Sequence, residues 1–355
     1  MSTQHSHAHL SPGVPLALGS AILFGASAPF AKLLLGTLDP QMLAGLMYLG
    51  AGGGLALIHV GRTALGLEAS EAPLRRADTP WLAAVVLFGG IVGPLLLVLG
   101  LQRTSAASGS LMLNLEALAT MGIAWVVFRE NVDRRLLTGA AAILGGAIVL
   151  SWQGSGAELD IGGLLIAGAC LAWGVDNNLT RKLSSADPVQ IAMIKGLAAG
   201  AVNIALALAR DAPAPPVAIA GAAAAVGFLG VGVSLVMFVL ALRHLGSART
   251  GAYFSLAPFI GALVALVVLR EAASAQLFIA AALMGVGLWL HLAERHDHDH
   301  LHEAMEHEHA HVHDAHHQHV HDGPVVEPHS HWHRHEPLRH KHVHYPDLHH
   351  RHRHG

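Results

Sequence analysis

Ten apolar stretches of membrane-spanning length follow one another between Gly13 and Leu292, divided by charges or by Pro and Gly. A helix needs roughly 20 mainly apolar residues to cross the hydrocarbon layer. The stretches run Gly13–Leu35, Gln41–Val60, Trp81–Leu101, Ser105–Phe128, Leu136–Trp152, Ile161–Leu179, Val189–Ala209, Val217–Leu242, Gly246–Leu269 and Ala275–Leu292. With 53% hydrophobic and 13% charged residues, and a mean hydropathy of +0.47, the chain carries more apolar surface than a soluble domain hides in its core. The body is predicted to be an all-α membrane protein of ten transmembrane helices.

The body repeats itself. TSAASGSLMLNLEALATMGIAWVVFRE aligns without a gap on LGSARTGAYFSLAPFIGALVALVVLRE, pairing Leu115 with Leu256, Ala124 with Ala265, Arg129 with Arg270 and Glu130 with Glu271. Earlier, FGASAPFAKLLLGTLDP resembles WGVDNNLTRKLSSADP, with Asp39-Pro40 facing Asp187-Pro188. The chain thus divides into a short His-containing leader (1–12), a first repeat (13–152), a second repeat (153–293) and a histidine-rich tail (294–355). Five spans per half is an odd number, so the second half enters the membrane in the opposite sense. Such inverted repeats suit a transporter that rocks one repeat against the other around a midplane site.

These two copies, each with an Ala/Ser-rich entry and an apolar run closing on Arg-Glu, resemble the EamA family of the drug/metabolite transporter superfamily over roughly Gly13 to Leu292. The resemblance implies a bacterial inner-membrane secondary transporter, not an enzyme, and the sequence holds no Walker-type GxxxxGK[ST]. Two positions depart from the family pattern. The fourth span lacks the proline that Pro258 supplies in the ninth, and Met47 stands where a basic residue is common, while Lys195 keeps it in the seventh span.

Basic side chains are retained on the cytoplasmic side. With the N-terminus inside, the inner connections carry Arg62, Arg75, Arg76, Arg129, Arg134, Arg135, Arg181, Lys182, Arg243 and Arg249, against Lys32, Arg103, Arg210 and Arg270 outside. Both termini are therefore expected in the cytoplasm, and the leader has neither the basic region nor the cleavage site of a secretory signal. The single Cys170 lies inside a span and has no intrachain partner. A net charge of −3 gives no support to a nucleic-acid partner. The partners expected are the bilayer, a small-molecule or metal-ion substrate and a second copy in a homodimer.

Five polar residues inside the body are candidates for the transport pathway: Asn114, Glu116, Asp176, Asn177 and Lys195. Glu116 stands about eleven residues into its span, roughly 17 Å along the axis and near the bilayer centre. A carboxylate there must face the interior, a cavity or a proton, and its repeat mate is Ala257, so the fold itself does not require an acid. Proton coupling or cation coordination with Asn114 is the functional reading; a protonated Glu bonded to a neighbouring helix is the plain one. Asp176, Asn177 and Asn178 turn by about 100° each and cannot share a face. Asp176 and Asn177 are expected to point inward, with Asn178 as a cap or at a headgroup. Lys195 lies at similar depth to Asp176, which makes either a structural ion pair or a substrate site. The glycine runs at Gly50–Gly54, Gly145-Gly146 and Gly230–Gly232 are expected to serve close helix packing.

After Glu294 the spacing His-x-His dominates, through His296, His298, His300, His302, His307, His309, His311, His313, His316, His317, His319, His321, His329, His331, His333 and His335. Spaced imidazoles suit divalent transition metals such as Ni, Co or Zn, and interleaved Asp and Glu residues add oxygen donors. Without apolar periodicity the tail is expected to be disordered when metal-free. The leading expectation is a secondary transporter whose tail captures or senses a divalent metal, with metal efflux as the coupling and no cofactor required. The alternatives are an exporter of organic metabolites regulated by the tail, and a membrane-anchored metal-storage protein without transport.

Overall fold

A computed structural model describes residues 13–66, 74–128, 134–152, 160–180, 183, 186–292 and four tail segments, 296–302, 305–311, 329–335 and 338–344. The first half holds α1 (Gly13–Leu34), α2 (Pro40–Ala64), α3 (Thr79–Val85), α4 (Gly93–Arg103), α5 (Ala106–Met112), α6 (Leu115–Phe128) and α7 (Arg134–Ser151). The second holds α8 (Ile161–Thr180), α9 (Pro188–Leu208), α10 (Val217–Gly227), α11 (Ser234–Phe254), α12 (Ala257–Val268) and α13 (Ala275–Leu292). Among the described residues, seven helices are long and apolar enough to cross a membrane: Gly13–Leu34, Pro40–Ala64, Arg76–Arg103, Ala106–Val127, Arg134–Ser151, Val189–Leu208 and Val217–Ala241. Two shorter apolar helices, Ala257–Val268 and Ala275–His291, accompany them.

The duplication is visible in local chemistry. Asp39 accepts from the N–H groups of Gln41 (2.9 Å) and Met42 (3.0 Å), capping α2 with Pro40 in its first turn. Asp187 does the same for α9, accepting from Val189 N–H at 2.8 Å. Asp-Pro starts a helix because the carboxylate satisfies amides that have no partner and proline needs none. The paired helices then pack on each other with near two-fold symmetry. A Cβ at Gly52 would lie 2.4 Å from Leu197 N, and one at Gly200 would lie 2.5 Å from Leu49 N, so only glycine permits this approach. The glycine runs thus serve packing as expected at Gly50, Gly52, Gly54, Gly146 and Gly230, but not at Gly53 or Gly145, where no atom lies within 4 Å of such a Cβ.

Three features depart from the sequence expectation. The predicted fourth span, Ser105–Phe128, is present as one apolar helical stretch, Ala106–Val127, but is interrupted by a tighter turn at Leu113-Asn114 between α5 and α6, where the side-chain amide of Asn114 donates to the Leu111 carbonyl at 2.8 Å. Its repeat mate breaks one residue further on, at Ser255-Leu256 where the alignment places Phe254-Ser255 opposite Leu113-Asn114, with Pro258 in the first turn of α12. The predicted gap between the eighth and ninth spans, at 243–245, is instead interior to α11. Both third-position helices also contain a π-helical segment, Val86–Val92 between α3 and α4 and Phe228–Val233 between α10 and α11.

The tail is expected to lack regular structure, whereas the four segments form β1 (His296–His302), β2 (Met305–His311), β3 (His329–His335) and β4 (Leu338–His344). β1 pairs antiparallel with β4, and β2 with β3. Strict His-x-His alternation has the period of a strand, which the apolar pattern alone does not reveal. The register sets His296, His298 and His300 opposite His344, His342 and His340. It sets His307, His309 and His311 opposite His333, His331 and His329. The leader histidines and His313, His316, His317, His319 and His321 lie outside the described residues.

Candidate functional site

The polar residues converge where α8, α9 and α2 meet the π segment of the first half. Asp176, 4% exposed on α8, forms a hydrogen-bonded ion pair with Lys195 of α9 and also accepts from Thr180 Oγ1 at 3.2 Å. The pair lines a cavity of about 210 Å³, together with Tyr48, Asn177 and Thr180 and the apolar Leu55, Ile191, Val231 and Leu235. Two ions taken from water into a mostly apolar wall must be matched to each other or to a solute.

The π segment supplies the floor beside that pair. A π turn leaves carbonyls outside the regular helical ladder, and here side chains take them up. Gly89 O accepts from Tyr48 OH at 2.7 Å and from Trp173 Nε1 at 3.1 Å. Gly90 O accepts from Asn203 Nδ2 at 3.0 Å. A Cβ on Gly89 would come 2.1 Å from Asp176 Oδ2 and 2.5 Å from Lys195 Nζ, so the ion pair rests directly against bare backbone. Tyr48, Trp173, Asn203 and Gly89 were not legible as site residues. Nothing in an apolar stretch marks a π turn, although a lone tyrosine one residue after Met47, facing Lys195 in the repeat, was a usable signal.

Glu116 is placed differently from the expectation of a mid-helix acid. Because the span is interrupted at Asn114, Glu116 sits in the first turn of α6, its own N–H bonded back to the Leu113 carbonyl at 3.1 Å. Discontinuous helices whose half-helix ends face the pathway are a recurring device for holding charged solutes in transporters. Asn177 Nδ2 donates to Glu116 Oε1 at 2.9 Å and to Thr120 Oγ1 at 3.1 Å. Adjacent positions on α8 therefore connect Glu116, through Asn177, to the Asp176–Lys195 pair. Asn114 is not brought into that group: it is buried and directed at Leu111 O and Met284 Sδ (3.8 Å).

Asn178 neither caps the helix nor reaches a headgroup. It is 6% exposed and donates to Thr120 O at 3.0 Å and Gly174 O at 2.8 Å. The reason is the close approach of α8 to α6 at Gly174, whose added Cβ would meet Ala119 Cβ at 2.8 Å. Cys170 is buried, with Sγ 3.7 Å from Met112 O. The Arg129-Glu130 closure lies outside the described residues.

Duplicated apolar helices, each half carrying a π segment and an interrupted fourth helix, with a charged cavity between α2, α8, α9 and α11, describe a multi-pass membrane protein. The family model of the EamA-like transporter family matches residues 11–152 and 160–293, and the chain belongs to that family. An uncharacterized transporter of Methanothermobacter thermautotrophicus (strain Delta H) is 28% identical over 285 residues, covering 76% of this chain and 83% of its own. A solved crystal structure of a protein with 22% identity shares the fold with a TM-score of 0.57, covering 78% of this chain and 95% of the other.

Proposed function

We propose that the chain is a secondary exporter of a small organic solute, driven through Glu116 and regulated by a divalent transition metal held on its histidine-rich tail. The observation that carries the reading is the Asp176–Lys195 pair in a cavity of about 210 Å³ with largely apolar walls. An ammonium at the centre repels a bare metal cation, whereas a solute with its own charge and an apolar body exchanges partners with the pair. Among the described residues no group of three or more His, Cys, Asp or Glu side chains stands close enough to hold a metal ion. A proton at Glu116, in the first turn of α6 and bonded to Asn177, is the coupling ion, and no resident cofactor is called for.

In the tail, the repeated His-x-His spacing supplies many imidazoles of the kind that Ni, Co or Zn ions take. The tail and leader lie in the cytoplasm of the bacterial inner membrane in this reading. Two of the four basic residues assigned to the outer side are occupied within the protein: Lys32 binds backbone carbonyls and Arg210 binds the side chain of Gln41.

A second reading keeps the metal as cargo, favoured by the proximity of Glu116 to Asp176 through Asn177. The two separate in one experiment: cellular Ni, Co, Zn and Cu are measured in metal-challenged bacteria expressing the wild-type chain, Glu116→Gln, or a truncation at Glu294. The proposal expects no drop in any metal below control with wild type, and loss of tail-bound metal on truncation. A fall in one metal that Glu116→Gln abolishes establishes metal efflux instead. For the organic solute itself, Glu116→Gln is expected to cut proton-driven export at least about 100-fold, as loss of an essential proton carrier does. Export that persists under an imposed pH gradient removes Glu116 from the coupling.

A further inference from the structure

At the end of the bundle away from the cavity, the turn between α4 and α5 is held from both sides. α4 ends at Arg103 and α5 begins at Ala106. Lys32, in the last turn of α1, donates to the carbonyls of Leu101 and, at 2.7 Å, of Thr104. Glu271, just past α12, accepts from Ala106 N–H at 2.7 Å and Ala107 N–H at 2.8 Å. A cation thus sits on the negative end of one helix and an anion on the positive start of the next.

Glu271 reaches this place by a backbone reversal. Arg270 has φ of 53°, a left-handed conformation uncommon outside glycine, and Glu271 N–H turns back to Ala265 O at 3.4 Å. Just beneath the clamp, Ala28, Leu101, Ala106, Leu111 and Ala265 form one buried cluster. The clamp and the cavity are far apart. Gly162 on α8 packs at the clamp end, where its added Cβ would lie 3.0 Å from Gly100 O, and Asp176 follows fourteen residues later on the same helix, about 21 Å along the axis. At the cavity end the polar groups are less enclosed by protein: Asn177 is exposed and the Lys195 side chain keeps 19% exposure.

The second half has another shape at the equivalent place. Leu245 and Gly246, which align with Thr104 and Ser105, lie inside the unbroken α11. The two halves hold different backbone conformations at this place, a turn between α4 and α5 in one and continuous helix in the other. We infer that Lys32 and Glu271 form a gate that shuts the far end of the solute path while the cavity end is open, and that the gate must open for the cavity to close. The inference rests on the cavity being the solute site.

It is tested without any solute, so a failed export assay and a failed gate are told apart. In a Cys170→Ala background, single cysteines are placed at Ala28, beneath the clamp and 3% exposed, and at Ala192, in the cavity wall. Their rates of reaction with a water-soluble maleimide are measured in purified full-length protein in nanodiscs, with and without Lys32→Met and Glu271→Gln together. The gate predicts changes of opposite sign: about a tenfold rise at Ala28→Cys and a fall at Ala192→Cys, a population shift of the size that bistable proteins show. Rates that rise at both sites mean general loosening, and rates that do not move mean a passive contact; either overturns the gate. Lys32→Arg, which keeps the charge on the carbonyls, is expected to leave both rates near wild type. If the double variant does not fold, Glu271→Gln alone must give the same pair of signs.

Discussion

Asp176→Ala is expected to lower stability by about 3 kcal/mol and to abolish export. Removing one member of a buried pair strands the other charge, at about 3–5 kcal/mol, and the lower end applies because the cavity leaves the Lys195 side chain 19% exposed. The loss is read as a fall in Tm of the purified protein. The informative experiment is the double variant Asp176→Asn, Lys195→Met, in which no charge is stranded. Stability is expected to return to within about 1 kcal/mol of wild type, since neutral replacement of a buried pair is often tolerated. Export is expected to remain lost, because the solute no longer finds charges to exchange with. If export returns with stability, the pair is a structural clamp and the solute is bound elsewhere.

Gly89→Ala is expected to separate folding from transport. The new methyl would stand 2.1 Å from Asp176 Oδ2 and 2.5 Å from Lys195 Nζ, so the pair must part or the π segment must shift, at about 1–3 kcal/mol. Helix–helix packing away from the site is untouched, and membrane insertion is expected to be normal. Export is expected to fall at least about tenfold, since a shift of 1.4 kcal/mol in the site already gives a factor of ten. Gly53→Ala, with nothing within 4 Å of its Cβ, is the matched control and should leave both Tm and export unchanged. Normal export by Gly89→Ala means the ion pair need not hold its present geometry for transport.

Helix starts, the repeat and the charged pair were legible because each rests on local chemistry. Asp39-Pro40 and Asp187-Pro188 write a cap and a first turn in two letters, and Asp176 and Lys195 stand at matched depth on either side of one connection. Breaks that depend on tertiary partners were not legible. Pro258 announces the interruption before α12, but Leu113-Asn114 carries no proline, and its break is supported by the Asn114 amide turning onto Leu111 O. This moved Glu116 from the middle of an expected helix to the start of one. The continuity of α11 through Gly246 and the inward placement of Asn178 followed the same rule, since backbone and amide choices inside an apolar stretch are decided by the neighbouring helix. The π segments escaped for the plainest reason: their residues, VLFGGIV and FLGVGV, read as ordinary apolar helix.

Those two segments also carry a record of descent. A π turn holds one more residue than the α turn it replaces, which makes it in effect a single-residue insertion that a helix has absorbed. They end at Val92 and Val233, 141 apart (233 − 92), the offset that separates Arg129 from Arg270 (270 − 129), and begin at Val86 and Phe228, 142 apart (228 − 86), so they overlap at one homologous place although the first is a residue longer. Two independent insertions at one homologous point are far less economical than one. The π segment is thus most economically a feature of the unit that was duplicated, shared by both repeats like the Asp-Pro helix starts. In today's fused chain both copies stand at the charged cavity, the first against the ion pair at Gly89 and the second in the cavity wall at Val231 and Gly232.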